Sequence, residues 1–151
     1  MCRIAKGRAY LYNAYRHEAK MVSLAPEHVG AIVFWSKNYR PALLHLKRLR
    51  DMGYPLFFHY TITGQRRATE KHVASAAQNI KTFQCLAEMF SPQQLHWRFD
   101  PIFYTRSMGR AYYLEMFERI AKELAGCTER LHHQFCYVVT EGEAETGPGV
   151  A

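Results

Sequence analysis

The sequence predicts an α/β protein in which repeated βαβ units build a parallel sheet, arranged as a partial TIM-type (β/α) barrel of about half the usual size. Four apolar segments rich in aromatic and β-branched residues alternate with three helical patterns. The first βα turn, "FWSKNYRP", lacks the glycines of a dinucleotide-binding fold, which favours a barrel over an open doubly wound sheet. A complete barrel takes eight strands and roughly 250 residues, so 151 residues supply about half.

Five extended segments are predicted from composition and alternation. The segment "RAYLYN" at 8–13 precedes the repeating pattern. The four strands of the parallel sheet are "AIVFWSK" at 31–37, "PLFFHYTIT" at 55–63, "QLHWRFDPI" at 94–102 and "LHHQFCYVV" at 131–139.

Three amphipathic helices are predicted between these strands. The first is capped by Asn38 and ends at Gly53. The second begins near Thr69 and stops before the Ser-Pro pair at 91–92, where proline cannot continue a helix. The third lies between Gly109 and Gly126.

Composition places the chain among folded proteins with one domain. Hydrophobic residues make up 48% and aromatic residues 14%, which excludes a disordered chain. We assign residues 1–140 to a single α/β domain and the acidic, glycine-rich residues 141–151 to a disordered tail. No apolar run approaches the roughly 20 residues of a membrane span, and the N-terminus lacks the apolar block of a signal peptide. We therefore expect a cytoplasmic protein without a membrane partner.

A formal net charge of +7 suits an anionic partner, whether nucleic acid, a phosphate-bearing small molecule or an anionic cofactor. General solubility explains the same charge equally well, because the basic residues are scattered and form no block.

The four cysteines form no C-x-x-C pair and are expected to be free thiols. The string "HHQFC" holds His132 and Cys136, but on a strand these residues lie about 13 Å apart at ~3.3 Å per residue. They cannot share a zinc ion, whose ligands each lie about 2 Å from it. No metal site is predicted.

Alternation gives the second and third strands of the sheet one apolar face and one face that becomes polar toward the C-terminal end. A parallel sheet covered on both sides should instead be apolar throughout. We infer that helices cover the apolar face and that the polar one lines a barrel lumen or crevice, where α/β proteins carry their sites. Both tryptophans, Trp35 and Trp97, are expected in the core.

The candidate site residues lie at the C-terminal ends of the predicted strands. His59 is a candidate acid or base, because imidazole titrates near neutrality, and Asp100 is a candidate to orient the ligand or move protons. A hydrogen-bonded core histidine and a structural Arg98–Asp100 ion pair remain open as alternatives. Five residues are candidates for substrate binding: Lys37, Thr61, Thr63, Arg98 and Gln134.

Four strings in unbroken order, "VSLAPEHVGAIVFWSKN", "GYPLFFHYTITG", "HWRFDPIFYT" and "FERIAKELAG", resemble the prokaryotic family called domain of unknown function 1848, over roughly residues 7–135. The resemblance implies a barrel-like fold in chains about twice as long. It also implies a cysteine-rich segment similar to the iron–sulfur motif of radical S-adenosylmethionine enzymes. This sequence lacks that segment and the family's opening Ser-Arg-Arg-Thr-Asp strand, so no residue here inherits a cluster-ligand role.

The sequence therefore predicts a truncated piece of a barrel enzyme with an anion-binding site at its strand ends and no cofactor of its own. An iron–sulfur cluster and S-adenosylmethionine are expected only in full-length relatives. Two alternatives stay open: a basic nucleic-acid-binding module, and an inactive fragment that self-associates or pairs with a missing half through its open sheet edges.

Overall fold

A four-stranded parallel sheet with helices packed on one face forms the centre of the structure, which confirms the α/β class. The structure is a computed structural model that describes residues 7–13, 15–64, 75–105 and 107–136. The strands are β1 (Arg8–Asn13), β2 (Glu18–Ser23), β3 (Ile32–Ser36), β4 (Leu56–Thr61), β5 (Leu95–Ile102) and β6 (Arg130–Phe135). The α-helices are α1 (Leu43–Asp51), α2 (Ala76–Met89) and α3 (Arg110–Glu123).

Strands β3, β4, β5 and β6 lie side by side in chain order, and each neighbouring pair is parallel. One helix connects each pair, as the βαβ pattern predicts. The predicted segment 8–13 is confirmed as β1. It forms a separate antiparallel hairpin with β2, a strand that the sequence analysis did not predict.

Alternate residues of β4 and β5 build the core against the helices. Leu56, Phe58 and Tyr60 are buried on this face, and the rings of Phe58 and Tyr60 contact Phe90 and Phe83 respectively. In β5 the corresponding buried residues are Leu95, Trp97 and Phe99. Removing a large apolar side chain from water contributes about 1.5–3 kcal/mol, so this face holds the sheet to its helices.

The helix termini follow local signals, with one difference from expectation. Asn38 does not cap α1 itself: its Oδ1 accepts a hydrogen bond from the Arg40 amide at 3.1 Å, at the start of a short 3₁₀ turn that leads into α1. Gly53 follows the helix with φ of +88°, a conformation that glycine adopts without strain. The α2 helix begins after Ser75, which forms a capping box with Gln78.

Several sequence expectations fall on residues outside the described ranges. The predicted start of the second helix near Thr69, the end of the predicted fourth strand beyond Cys136, and the predicted tail at 141–151 all lie there. Within the described residues, no helix has both the length and the apolar character that crossing a membrane requires.

The second face of the sheet carries no helix among the described residues, and the four parallel strands do not close into a barrel. The prediction that Trp35 belongs to the core is wrong: Trp35 is 67% exposed, whereas Trp97 is 3% exposed. The two tryptophans differ because Trp35 stands on the open face and Trp97 on the helix-covered face. This open face holds the polar residues that the alternation picks out.

Candidate functional site

Two rows of polar side chains cross the open face, each drawn from β4, β5 and β6. We call His59, His96 and His132 the histidine layer, and Thr61, Arg98 and Gln134 the pocket layer. Each pocket-layer residue follows a histidine by two positions on the same strand. Two residues along a strand span about 6.6 Å at ~3.3 Å each, so the two layers are adjacent and parallel.

The register of the sheet brings the rows together. His59 pairs with His96, and Thr61 pairs with Arg98 across the β4–β5 ladder. In the β5–β6 ladder His96 pairs with Arg130 and His132 pairs with Arg98, so His132 lies two residues further along its strand than the other two histidines. Its ring nevertheless contacts His96, with Nε2 of His132 3.3 Å from Nδ1 of His96.

Arg98 and Asp100 meet on this face, as their spacing predicts. Nε of Arg98 donates to both carboxylate oxygens of Asp100, at 3.1 Å and 3.0 Å, and Nη2 donates to Oδ2. The Asp100 residue is 7% exposed, so the carboxylate is screened from water. The contact is compatible with a ligand site and with a structural ion pair, because both require these side chains to touch.

Arg98 also contacts the ring of Trp35. The guanidinium carbon of Arg98 lies 5.2 Å from the centre of the Trp35 ring, within the range of a cation–π contact. The same indole lies 4.9 Å from the His59 ring, centre to centre. Exposed Trp35 therefore connects the histidine layer to the pocket layer, which a core tryptophan could not do.

A cavity of about 500 Å³ opens over the pocket layer. It brings together five of the seven predicted site residues: Lys37, Thr61, Arg98, Asp100 and Gln134. Trp35, Ser36 and Pro101 complete its lining. Two predicted residues lie elsewhere: Thr63 is only 4% exposed and does not line the cavity, and His59 lies in the row below.

His59 differs from an ordinary hydrogen-bonded core histidine. Its Nδ1 is buried and has no hydrogen-bond partner among the residues that the structure describes. Burial lowers the pKa of His59 below 6.5, and nearby positive charge from His96, His132 and Arg98 lowers it further, while Asp100 opposes the shift. The His59 imidazole is therefore neutral near pH 7 and offers a lone pair.

His96 has a similar environment. Burial lowers its pKa first, followed by the positive charge of His132 and Arg130, and a backbone contact at Gln93 partly opposes this. Two of the three imidazoles are thus held neutral, and neutral imidazole is the form that acts as a base or as a metal ligand.

Sequence reasoning missed His96 and His132 as site residues. The signal was present, because three of the four predicted parallel strands carry a histidine two residues before a polar residue: His59 before Thr61, His96 before Arg98, and His132 before Gln134. Testing His132 only against Cys136 on its own strand overlooked ligands on neighbouring strands.

Among the described residues, the histidine layer is the one group of three or more histidine, cysteine or acidic side chains whose ligand atoms converge, all within 4.8 Å of one another. The described cysteines, Cys85, Cys127 and Cys136, belong to no such group. An iron–sulfur cluster requires several thiolates at one point. The described residues therefore do not fit such a cluster.

Comparison with known proteins identifies one family. The family model described as Domain of unknown function (DUF1848) matches residues 1–146, nearly the whole chain. Neither the curated proteins nor the solved structures contain a significant match.

Proposed function

Because this chain belongs to the DUF1848 family, whose description assigns no activity, we propose its function from the geometry of the open sheet face: the pocket layer binds a small phosphate- or carboxylate-bearing ligand as part of an enzyme site. The observation that carries the proposal is the fixed orientation of Arg98 at the edge of a cavity of about 500 Å³.

Two contacts orient the guanidinium. Asp100 accepts hydrogen bonds from Nε and Nη2, and the guanidinium carbon lies over the Trp35 ring. The remaining nitrogen, Nη1, donates to none of the described residues. An arginine fixed in this way can bind an anion without losing side-chain entropy at the moment of binding, and charge-assisted hydrogen bonds from arginine are strong.

The cavity lining supplies further groups for an anion. Lys37 adds a second positive charge, while the hydroxyl of Thr61 and the amide of Gln134 can donate hydrogen bonds. Positive side chains and neutral hydrogen-bond donors along one wall favour a ligand that carries negative charge.

The two candidate catalytic residues, Asp100 and His59, have different surroundings, and we propose a different role for each. Both oxygens of Asp100 contact Arg98, so Asp100 serves here as a positioning residue rather than a proton carrier. His59 lies one layer below the cavity, and its neutral imidazole can accept a proton or bind a metal ion.

The half-barrel interpretation agrees with this site. In a (β/α) barrel the helices surround the strands, the inner face holds stacked layers of side chains, and ligands bind at the C-terminal ends of the strands. In this protein the helices cover one face of β3–β6, the open face carries two layers of side chains, and the cavity lies at the C-terminal strand ends of an unclosed sheet. The half-barrel would place both layers at the lumen, with the cavity at its mouth.

The proposal is tested by titrating the protein with inorganic phosphate and with malonate, using calorimetry. A hydrogen bond to a charged group is worth about 1.5–3 kcal/mol, so Arg98→Met should weaken binding by about tenfold or more. Arg48→Met removes the same charge from exposed Arg48 on α1, across the sheet, and should leave affinity unchanged. Lys37→Met, which leaves the ion pair intact, gives a second test, with an expected loss of several-fold. Absence of saturable binding to either anion, or an equal loss in Arg48→Met, would contradict the proposal.

The nucleic-acid alternative rests on the net charge of +7. Binding through phosphate contacts weakens steeply with salt, because each contact releases counterions. On that alternative a short single-stranded oligonucleotide would bind with a steep salt dependence, and Arg48→Met and Arg98→Met would weaken it alike. Weak binding of the oligonucleotide at physiological salt, beside saturable phosphate binding, favours the small-ligand site.

Self-association is a separate proposal about the sheet edges. Among the described residues, β3 and β6 each pair with a strand on one side only. Unpaired edges of this kind can add a strand from another chain. Sedimentation velocity decides the question, because a dimer at micromolar concentration is expected if the edges pair, and a monomer over the same range opposes pairing.

A further inference from the structure

The histidine layer has the composition and spacing of a metal centre. Its three imidazoles come from three adjacent parallel strands and have ring centres 4.8 Å (His59–His96), 5.3 Å (His59–His132) and 5.4 Å (His96–His132) apart. The nitrogens that face one another all lie within 4.8 Å. Because each histidine lies on a strand of the sheet rather than on a loop, the backbone of the sheet fixes the position of its Cα atom.

The distances can be compared with those of a tetrahedral zinc ion. Zinc–nitrogen bonds of about 2.0–2.1 Å place two ligand nitrogens about 3.3–3.4 Å apart. The Nε2 of His132 and Nδ1 of His96 are already 3.3 Å apart. The widest separation in the group, 4.8 Å, must shorten by about 1.4 Å, which small rotations of the imidazoles can provide.

The unpartnered nitrogen of His59 has no explanation in the packing of the described residues. A buried polar atom without a partner destabilises the folded state. A rotation that turns the imidazole toward a bound ion would give it a ligand role. By contrast, His133, the neighbour of His132, points to the other side of β6 and lines a separate apolar cavity.

We propose that His59, His96 and His132 bind one divalent transition-metal ion, with zinc the best match, through three imidazole nitrogens and with a fourth coordination position left open. Imidazole ligands suit zinc, nickel, copper and iron. Three protein ligands with one open position are typical of catalytic zinc sites, whereas structural zinc sites are closed by four ligands.

The proposed metal centre lies next to the pocket layer, so the ion could act on a ligand that the pocket layer holds. This role goes beyond anion binding. His59 and His96 each lie two residues, about 6.6 Å along the strand, before Thr61 and Arg98, and His132 pairs directly with Arg98. One ligand could therefore reach both layers. The open position of the ion would take water or a ligand oxygen, and zinc lowers the pKa of bound water to about 7.

The experiment uses untagged, metal-free full chain titrated with Zn²⁺ in competition with a chromophoric chelator. We expect one zinc ion per chain. Loss of a residue that only hydrogen-bonds to a metal ligand costs about 10–100-fold in metal affinity. His96→Gln and His132→Gln, which each remove a ligand, should therefore weaken binding by about 100-fold. His133→Gln is the matched control, one residue away on the opposite face, and should bind zinc as the unaltered chain does.

Cobalt substitution tests the ligand set without any variant. Co²⁺ bound by three imidazoles and water should give visible d–d absorption and no thiolate-to-metal charge-transfer band. A strong thiolate band, an equal loss of affinity in the His132 and His133 variants, or no saturable zinc binding would each overturn the proposal. Phosphate binding in the absence of metal is measured separately, so either site can fail without the other.

Discussion

Arg98 and Asp100 stand two residues apart on one strand, and the guanidinium of the first donates to both carboxylate oxygens of the second, at 3.1 Å and 3.0 Å from Nε. The pair is asymmetric, because the Arg98 side chain is 26% exposed and the Asp100 side chain 9% exposed. Arg98 therefore keeps access to the cavity while Asp100 holds it in place.

A double-mutant cycle on this pair should show strong coupling. Arg98→Met leaves a buried carboxylate unpaired and should lower the free energy of unfolding by about 2–3 kcal/mol, below the roughly 3–5 kcal/mol of a fully buried pair. Adding Asp100→Asn should recover part of the loss, with a coupling energy of about 1–3 kcal/mol. Urea unfolding of the four proteins gives the values, and additive losses would show that the side chains do not interact in solution.

The two tryptophans should differ sharply in their contribution to stability. Trp97 is buried, and its Nε1 donates to the Ile62 carbonyl oxygen at 2.9 Å, so Trp97→Ala should cost about 3–5 kcal/mol. Trp35→Ala removes an exposed ring and one cation–π contact, and should cost about 0.5–1 kcal/mol. Similar losses in the two unfolding curves would mean that the faces of the sheet are misassigned.

Acidification should destabilise the metal-free protein through His59 and His96. Because their pKa values are lowered from 6.5 in the folded chain, the unfolded chain binds more protons at mildly acidic pH. Their contribution is fully present above pH 6.5 and is lost as the pH falls through the folded pKa values. The urea midpoint should therefore be lower at about pH 5.5 than at about pH 7.5. A His59→Gln/His96→Gln variant should show a smaller difference, and an unchanged difference would exclude these residues as its source.

Zinc and phosphate should strengthen each other's binding. A divalent ion in the histidine layer adds positive charge next to the pocket layer, and linkage requires the effect to be reciprocal. We expect phosphate affinity to rise about 5–150-fold at saturating zinc, the usual range of coupling between sites. Calorimetry with and without zinc measures the factor. In the His132→Gln variant phosphate should bind alike under both conditions, and a retained enhancement there would place the zinc effect elsewhere.

The strands and the faces of the sheet could be predicted from the sequence because alternation records burial directly. Alternation predicts one apolar face for the second strand of the sheet, and Leu56, Phe58 and Tyr60 are all buried on one side of β4. The β2 strand was missed because "EAKMVS" is almost wholly exposed and alternates over only four residues before Met21 and Val22 interrupt the pattern. Trp35 was misplaced because both faces of "IVFW" are apolar, so alternation could not choose between them.

The candidate site was predictable only in part. Lys37, Thr61, Arg98, Asp100 and Gln134 were expected at the C-terminal strand ends, and they line one cavity. The convergence of His59, His96 and His132 depends on the register between three strands, which no single segment encodes. Their shared spacing before a polar residue becomes informative only when the strands are aligned in parallel.

Anion binding on the open face is tested by following the two indole N–H signals in a ¹H–¹⁵N correlation spectrum during a titration with inorganic phosphate. Trp35 lines the cavity against Arg98, whereas Trp97 lies beneath the sheet against α3. Trp35→Phe assigns the two signals. An anion site on the open face predicts a saturable shift of the Trp35 signal with the Trp97 signal unmoved, and no such shift in Arg98→Met. A shift of Trp97 alone, or a Trp35 signal that stays fixed while phosphate binds, would contradict an anion site on the open face.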